Sequence, residues 1–333
     1  MNTSTEDSPG ENNLLKTSNL DHQLNWVLIV PVFILLVMFP FVATLFGFDF
    51  YITLVSRILI YALIATSLNL ILGFGGMVSF GHAAFVGIGA YTVAILMGQG
   101  FVSAYLSWPV AMIVSALFAL IIGAISLRTQ GVYFIMITLA FAQMLYYLIT
   151  SVKLYGADDG ITLTERSLIG WGLNLSDEKV FYFITLILVC VMMYLMLRLL
   201  NSRFGHVLQA IRENEVRMIA IGFPTYRYKL LAFVMAGSVA GLGGAMVANL
   251  SGFVSPSLMQ WTQSGMLLIM VILGGVGYLY GGFLGASCFL LLEECLSQYT
   301  IHWQLGLGIA LLGVVLFLPN GLASIRIKND NRS

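Results

Sequence analysis

Apolar runs of roughly 20 residues follow one another along almost this whole chain, each long enough to cross a hydrocarbon layer about 30 Å thick. A chain written this way has few folds open to it. Every backbone N–H and C=O inside lipid must find its partner within the protein. Ten segments can be marked, at about 26–46, 51–73, 78–97, 105–127, 131–152, 179–200, 230–250, 262–280, 283–298 and 303–319. Only 9% of the 333 residues are charged, where a soluble domain has about a quarter. The expected fold class is an all-α integral membrane protein with about ten transmembrane helices. The third and ninth segments are short and carry glycine, and each reads as a clean span or as a re-entrant or broken helix.

Residues 1–25 are polar, mildly acidic and rich in Asn and Ser, with no basic start leading into an apolar core. They read as a disordered tail. A membrane-like apolar domain spans 26–320, and 321–333 forms a second tail. The formal net charge is +0, so charge gives no sign of nucleic acid as a partner. The three cysteines, Cys190, Cys288 and Cys295, lack disulfide or ligand spacing and read as small buried apolar side chains.

One charged stretch, 201–229, interrupts the apolar pattern. It carries Arg203, Arg212, Arg217, Arg227 and Lys229, with Glu213 and Glu215 between them. Basic loops stay on the cytoplasmic side, so this one is placed inside. Counting spans outward from it puts the acidic 153–178 loop outside. Both termini, including Arg326, Lys328 and Arg332, then fall inside. Arg57 fits this map poorly, since it lies in the second span near the outer end, where it either snorkels or pairs within the bundle.

Within the charged stretch, 202–221 reads as one amphipathic helix. Phe204, Leu208, Ile211 and Met218 share an apolar face, and Arg212, Glu213 and Arg217 point elsewhere. Gly222 can adopt a left-handed cap and Pro224 cannot continue a helix, so the helix ends there. Two uses are open to it: lying on lipid headgroups, or docking a soluble motor. Glycine clusters add a second theme. Gly73–Gly75–Gly76 and Gly274–Gly275–Gly277 either serve close helix packing or break helices beside a polar path.

Several stretches then resemble one family in its own order. They are LNLILGFGGMVSFGHAAFVGIGAY at 68–91, GVYFIMITLAFAQM at 131–144, GADDGI at 156–161, SRFGHVLQAIRENEVRMIAIGFPTYRYKLLAF at 202–233, LGGVGYLYGGFLGA at 273–286 and FLPNGL at 317–322. The chain resembles the M-type (LivM) permease subunits of branched-chain amino-acid ABC importers. That resemblance implies a cobalamin-importer-like permease fold and a coupling loop at 201–229. It implies as partners a second homologous permease subunit, two cytoplasmic ATP-binding subunits and an extracytoplasmic substrate-binding protein. It also implies residence in a bacterial plasma (inner) membrane. The usual coupling motif begins Glu-Ala-Ala, whereas this chain has Glu215, Val216 and Arg217, so the side chain that seats in the ATPase is left open. The ATPase-coupling candidates are Arg212, Glu213, Glu215 and Gly222.

The chain has no Gly-x-x-x-x-Gly-Lys-Ser/Thr phosphate loop, no His-Glu-x-x-His and no Gly-x-Ser-x-Gly elbow. It is expected to be no enzyme and to use no cofactor or metal. Polar residues inside the spans are costly and face the bundle or a cavity. Asn69, Ser79, His82, Thr138 and Gln143 are the substrate-path candidates, although a helix-to-helix hydrogen bond is the commoner use of each. Glu293 and Glu294 lie toward the outer end of the ninth segment. Rival readings are a urea or short-amide permease of the same architecture, an ion-coupled secondary transporter and a membrane scaffold.

Overall fold

Proline and glycine decide where the apolar segments bend, break and stop. In the computed structural model, residues 26–47, 49–163, 165–169, 175–299, 302–317 and 321–323 are described. The tail at 1–25, and Arg326, Lys328 and Arg332 in the other tail, lie outside them. The helices are α1 (Trp26–Leu45), α2 (Asp49–Asn69), α3 (His82–Gly98), α4 (Ala104–Ser126), α5 (Val132–Ser151), α6 (Glu178–Leu200), α7 (Arg203–Glu213), α8 (Glu215–Ala220), α9 (Thr225–Ser251), α10 (Trp261–Gly274), α11 (Gly281–Tyr299) and α12 (Trp303–Phe317). A two-residue hairpin pairs β1 (Ile161–Thr162) with β2 (Phe253–Val254) in antiparallel register. Each of the ten apolar segments carries a helix. Among the described residues, five helices are long and apolar enough to cross a membrane.

The centre of the bundle is α2, α3 and α9, most of whose residues are buried. Small residues make this possible. Gly244 on α9 lies against the Val86 carbonyl of α3, and Gly89 on α3 lies against Gly241. A side chain at any of these positions would separate the two backbones, whose dispersion contact holds helices together where lipid competes equally for apolar surface. Around this centre, α1, α4, α5, α6 and α12 turn large apolar side chains outward, among them Leu35, Ile113, Tyr147, Ile187 and Ile309. That surface suits lipid and not water. Cys190 and Cys288 are half-buried, and Cys295 is exposed on α11, so the expectation of burial fails for Cys295, whose position belongs to this apolar rim.

Two polar links show how the bundle satisfies its own backbone. Pro40 inside α1 has no N–H for the Leu36 carbonyl one turn earlier. The Tyr182 hydroxyl of α6 donates to that carbonyl at 2.7 Å. Arg57 of α2 pairs with Glu293 of α11 at 3.3 Å and lies over the Tyr61 ring. Arg57, the residue that fits the charge map poorly, is therefore paired within the bundle.

The two ends of the bundle differ. At one end, the 156–168 loop is laced to the ends of α4 and α9: Leu163 N donates to Gly252 O, Ser167 N to Asn249 Oδ1, and Ala104 N to Leu168 O. The GADDGI stretch supplies two positive-φ glycines, Gly156 and Gly160, that turn the chain into β1. At the opposite end of α9, α7 and α8 gather with the ends of α2 and α10.

One expectation needs correction, and two readings left open take a definite form. The single helix expected over 202–221 is two. Asn214 adopts an extended backbone (φ −155°, ψ 94°), and its Oδ1 accepts from Arg217 N at 2.9 Å, making it the N-cap of α8. The third segment is helical only from His82, since 76–81 runs irregularly after Gly76. The ninth is continuous, and it is the eighth that breaks, because α10 stops at Gly274 before positive φ at Gly275 and Gly277.

Candidate functional site

Two interrupted helices meet at the end that carries the charged segment. After Asn69, α2 widens into a π-turn, Leu70–Phe74, and the chain then leaves the helix through Gly75 and Gly76. α10 ends at Gly274 and runs out through Gly277. Asn69 joins them: its Oδ1 accepts from Gly277 N at 3.0 Å and its Nδ2 donates to Tyr278 O at 2.7 Å. Gly73 sits where a Cβ would lie 2.5 Å from Gly277 N, so neither glycine can carry a side chain without forcing the joint apart. The chain beyond α12 returns to the same place. Leu322 N donates to Leu273 O at 2.9 Å and Ala323 N to Gly274 O at 3.0 Å, closing carbonyls that the break in α10 leaves open.

The irregular stretch 76–81 climbs from this joint to the start of α3. Ser79 is fully buried and accepts from Gly81 N at 3.2 Å. Phe80 N donates to Thr138 Oγ1 on α5 at 3.3 Å, and that hydroxyl donates to Ile135 O at 2.9 Å. Ala83 N at the start of α3 donates to Ser264 Oγ of α10 at 3.0 Å. His82 is fully buried with Nε2 2.8 Å from Ser67 Oγ. Ser67 uses its own proton on Ile64 O at 2.7 Å, so the ring donates from Nε2 and Nδ1 is left as an acceptor without a partner among the described residues. Gln143 is half-buried, and its Nε2 likewise has no partner among them.

Of the path candidates, Asn69, Ser79, His82 and Thr138 are thus brought into one buried layer between α2, α3, α5 and α10, while Gln143 stands apart, further along α5. Asn69, Ser79 and Thr138 hold backbone. The two with unused hydrogen-bonding atoms are His82 and Gln143. A cavity of about 190 Å³ is lined by Gly76, Met77, Val78, Phe134, Ile135 and the Glu215–Lys229 pair.

The charged segment closes that end. Ser202 caps α7 by accepting from Gly205 N, Leu208, Ile211 and Met218 are buried, and Phe204 stacks on Tyr228 with centroids 5.5 Å apart. The apolar face read from the sequence is therefore the packed face. Glu215 accepts from Lys229 Nζ at 2.5 Å and from Gln130 at 3.4 Å, tying α8 to the start of α9 and to the α4–α5 turn. Gly222 has φ +90°, with Gly222 N donating to Ile219 O and Phe223 N to Met218 O, the paired bonds of a Schellman cap.

Two features escaped the sequence reading. The Arg212 guanidinium turns back from α7 and donates from Nη1 to the Gly73 carbonyl at the joint, where the sequence placed it facing away with Glu213. The exposed face of α8 is apolar as well as charged, with Val216 77% and Ile219 56% exposed beside Glu213 and Arg217. The three-residue spacing of Val216 and Ile219 carried that signal once α8 was known to be separate from α7.

Residues 50–318 match the model of a family described as branched-chain amino acid transport system / permease component. The chain is similar to the high-affinity branched-chain amino acid transport system permease protein LivM of Escherichia coli, at 28% identity over 88% of this chain and 74% of the relative. It is 24% identical to a probable branched-chain amino acid transport permease protein LivM of Methanocaldococcus jannaschii, over 81% of this chain and 93% of the relative. It also matches the permease protein LivH of Escherichia coli at 24% identity over 79% of this chain and 90% of the relative. No solved structure matches.

Proposed function

The chain belongs to the family of branched-chain amino acid transport system permease components, and on that premise we propose that it is the membrane permease subunit of an ABC importer that carries branched-chain amino acids. The observation that carries this reading is the family match over 50–318, which takes in the charged segment and both helix breaks together. A partial match to the spans alone would leave the segment that a motor must grip unaccounted for.

On this reading the ten apolar segments cross the membrane in a cobalamin-importer-like arrangement. The 201–229 end faces the cytoplasm, with both termini, the 1–25 tail and the 321–333 tail. The hairpin end, with exposed Asp158 and Asp159, faces an extracytoplasmic substrate-binding protein. The membrane is a bacterial inner membrane. Similarity to both LivM and LivH proteins supports a permease pair, with a second, homologous subunit completing the path. Two cytoplasmic ATP-binding subunits dock on α7–α8 through Glu213, Val216 and Ile219, while Glu215 and the Gly222 cap hold the segment at its exit angle. Asn69, Ser79 and Thr138 shape the path by holding its walls, and His82 and Gln143 offer the unused polar atoms that a passing zwitterion would meet.

The test is reconstitution. Membranes expressing this chain with its neighbouring permease and ATPase genes should take up leucine, isoleucine or valine from a loaded binding protein in an ATP-dependent way. The ATPases should co-purify with it. ATP-independent uptake driven by an ion gradient, or no ATPase in the purified complex, would overturn the reading.

A further inference from the structure

We propose that Arg212 transmits movement of the α7–α8 segment to the membrane helices, by gripping the joint between α2 and α10. The proposal rests on the reading of α7–α8 as the motor-docking segment. Its own observations are geometric.

The first is where the guanidinium sits. Arg212 extends from the last turn of α7 and donates to the Gly73 carbonyl. A continuing helix would give that carbonyl a main-chain N–H, but the chain turns away after Phe74. The acceptor is thus available only because α2 is interrupted. A guanidinium donating to it makes a charge-assisted bond, stronger than a neutral one.

The second is the cradle. Three glycines from the two breaks line one side of the arginine side chain, whose other side is exposed. A Cβ on Gly76 would lie 3.1 Å from Arg212 Cγ, one on Gly277 would lie 2.9 Å from Nη1, and Gly73 supplies the carbonyl. Gly76 and Gly277 both have positive φ, so glycine there gives the turn its shape and the arginine its room.

The third is what the cradle is attached to. Asn69 clasps Gly277 N and Tyr278 O, so α2 and α10 are joined at the point Arg212 holds. Side chains make this joint, and a few side-chain bonds can rearrange where an unbroken helical ladder cannot. The segment's other anchor, Glu215 with Lys229 and Gln130, leads to α9 and the α4–α5 turn. A push on α7–α8 therefore reaches two different sets of helices through two separate grips, and Arg212 is the one on the α2–α10 side.

The experiment uses the whole importer in proteoliposomes and measures substrate taken up per ATP hydrolysed, alongside the ratio of ATPase to permease in the purified complex. Arg212→Gln should lower uptake per ATP about fivefold or more, the lower end of typical coupling between two sites, while the ATPases stay bound at the wild-type ratio. Arg212→Lys should recover part of the loss, since an ammonium can reach one carbonyl but lacks the guanidinium's planar fork. Unchanged uptake per ATP in Arg212→Gln would overturn the proposal. So would loss of the ATPases from that variant with normal uptake per ATP in the complexes that remain, which would make Arg212 a docking residue. If Arg212→Gln fails to accumulate in the membrane, Arg212→Lys carries the same readout: intermediate coupling supports the grip, and wild-type coupling overturns it. A wild-type complex without ATPases would sink the importer reading itself, a different result from an intact complex whose coupling ignores residue 212.

Discussion

Asn69 and Gly277 lie far apart in sequence, on either side of two helix breaks, and one amide side chain joins them: Asn69 Oδ1 takes the Gly277 N–H at 3.0 Å while its Nδ2 reaches the next residue's carbonyl. At this half-buried joint the bond pair stands where helical hydrogen bonds would have been. Asparagine accepts and donates from two separate atoms without charge, so one side chain can serve both backbone groups.

Asn69→Ala should therefore destabilise the protein strongly. It leaves the half-buried Gly277 N–H and Tyr278 carbonyl without these partners, each costing up to about 1–3 kcal/mol. Asn69→Asp should be no better, because a carboxylate keeps the acceptor, loses the donor and brings a charge beside the Tyr278 carbonyl. Thermal unfolding of the detergent-solubilised protein measures both. Stability of Asn69→Asp equal to wild type would show that the bond to Tyr278 contributes nothing.

Tyr182→Phe should destabilise by about 1 kcal/mol, because it removes the donor to the Leu36 carbonyl that Pro40 leaves open. The effect should shrink in a Pro40→Ala background, where residue 40 regains an N–H for that carbonyl. A thermal-shift double-mutant cycle reads the coupling. Equal cost of Tyr182→Phe in both backgrounds would disconnect the hydroxyl from the proline.

Gly222→Val should leave membrane insertion intact and weaken coupling to the ATPases. An added Cβ meets nothing within 4 Å, so crowding is not the cause. The cost is the φ of +90°, about 1 kcal/mol or more for a β-branched residue. Gly222→Asn should be milder. Substrate-stimulated ATP hydrolysis is the measurement, and wild-type stimulation in Gly222→Val would remove the exit angle from the mechanism.

Val216→Asp and Glu213→Lys should each reduce ATPase co-purification, since both side chains are exposed on the α7–α8 surface. Glu215→Lys should act differently. It breaks the pair with Lys229 and sets two ammonium groups against each other, so it should lower permease stability before it lowers docking. A helix lying on anionic lipid would instead gain affinity from Glu213→Lys. Stronger membrane association of that variant with unaltered ATPase binding would favour the lipid-lying alternative.

The helices were legible because hydropathy is a local property repeated over twenty residues, and each of the ten marked segments holds one. Charge also marked the 201–229 segment, and Leu208, Ile211 and Met218 lie buried as their spacing foretold. What escaped was set by partners distant in sequence. Asn214 splits the expected helix because its side chain caps the next one, and nothing in the apolar periodicity of 202–221 registers that competition. The glycine cluster at 274–277 left a break in the eighth segment open, and only the bond from Gly277 N to Asn69 shows what that break is for. Arg57 looked misplaced while Glu293 was invisible to it. Asn69, Ser79, His82 and Thr138 were recognisable as polar residues needing company, but which of them hold backbone and which keep a free atom depended on the other helices.

The bonds from Leu322 and Ala323 to the end of α10 set a constraint on how the protein is made. The ribosome delivers α2 and α10 before residues 322 and 323, so the carbonyls of Leu273 and Gly274 gain these donors only after Asn69 and Gly277 are both present. Until then those two carbonyls must find another donor, such as water. A chain cut after α12 would keep the Asn69 joint and leave the end of α10 open, a seam closed on one side only.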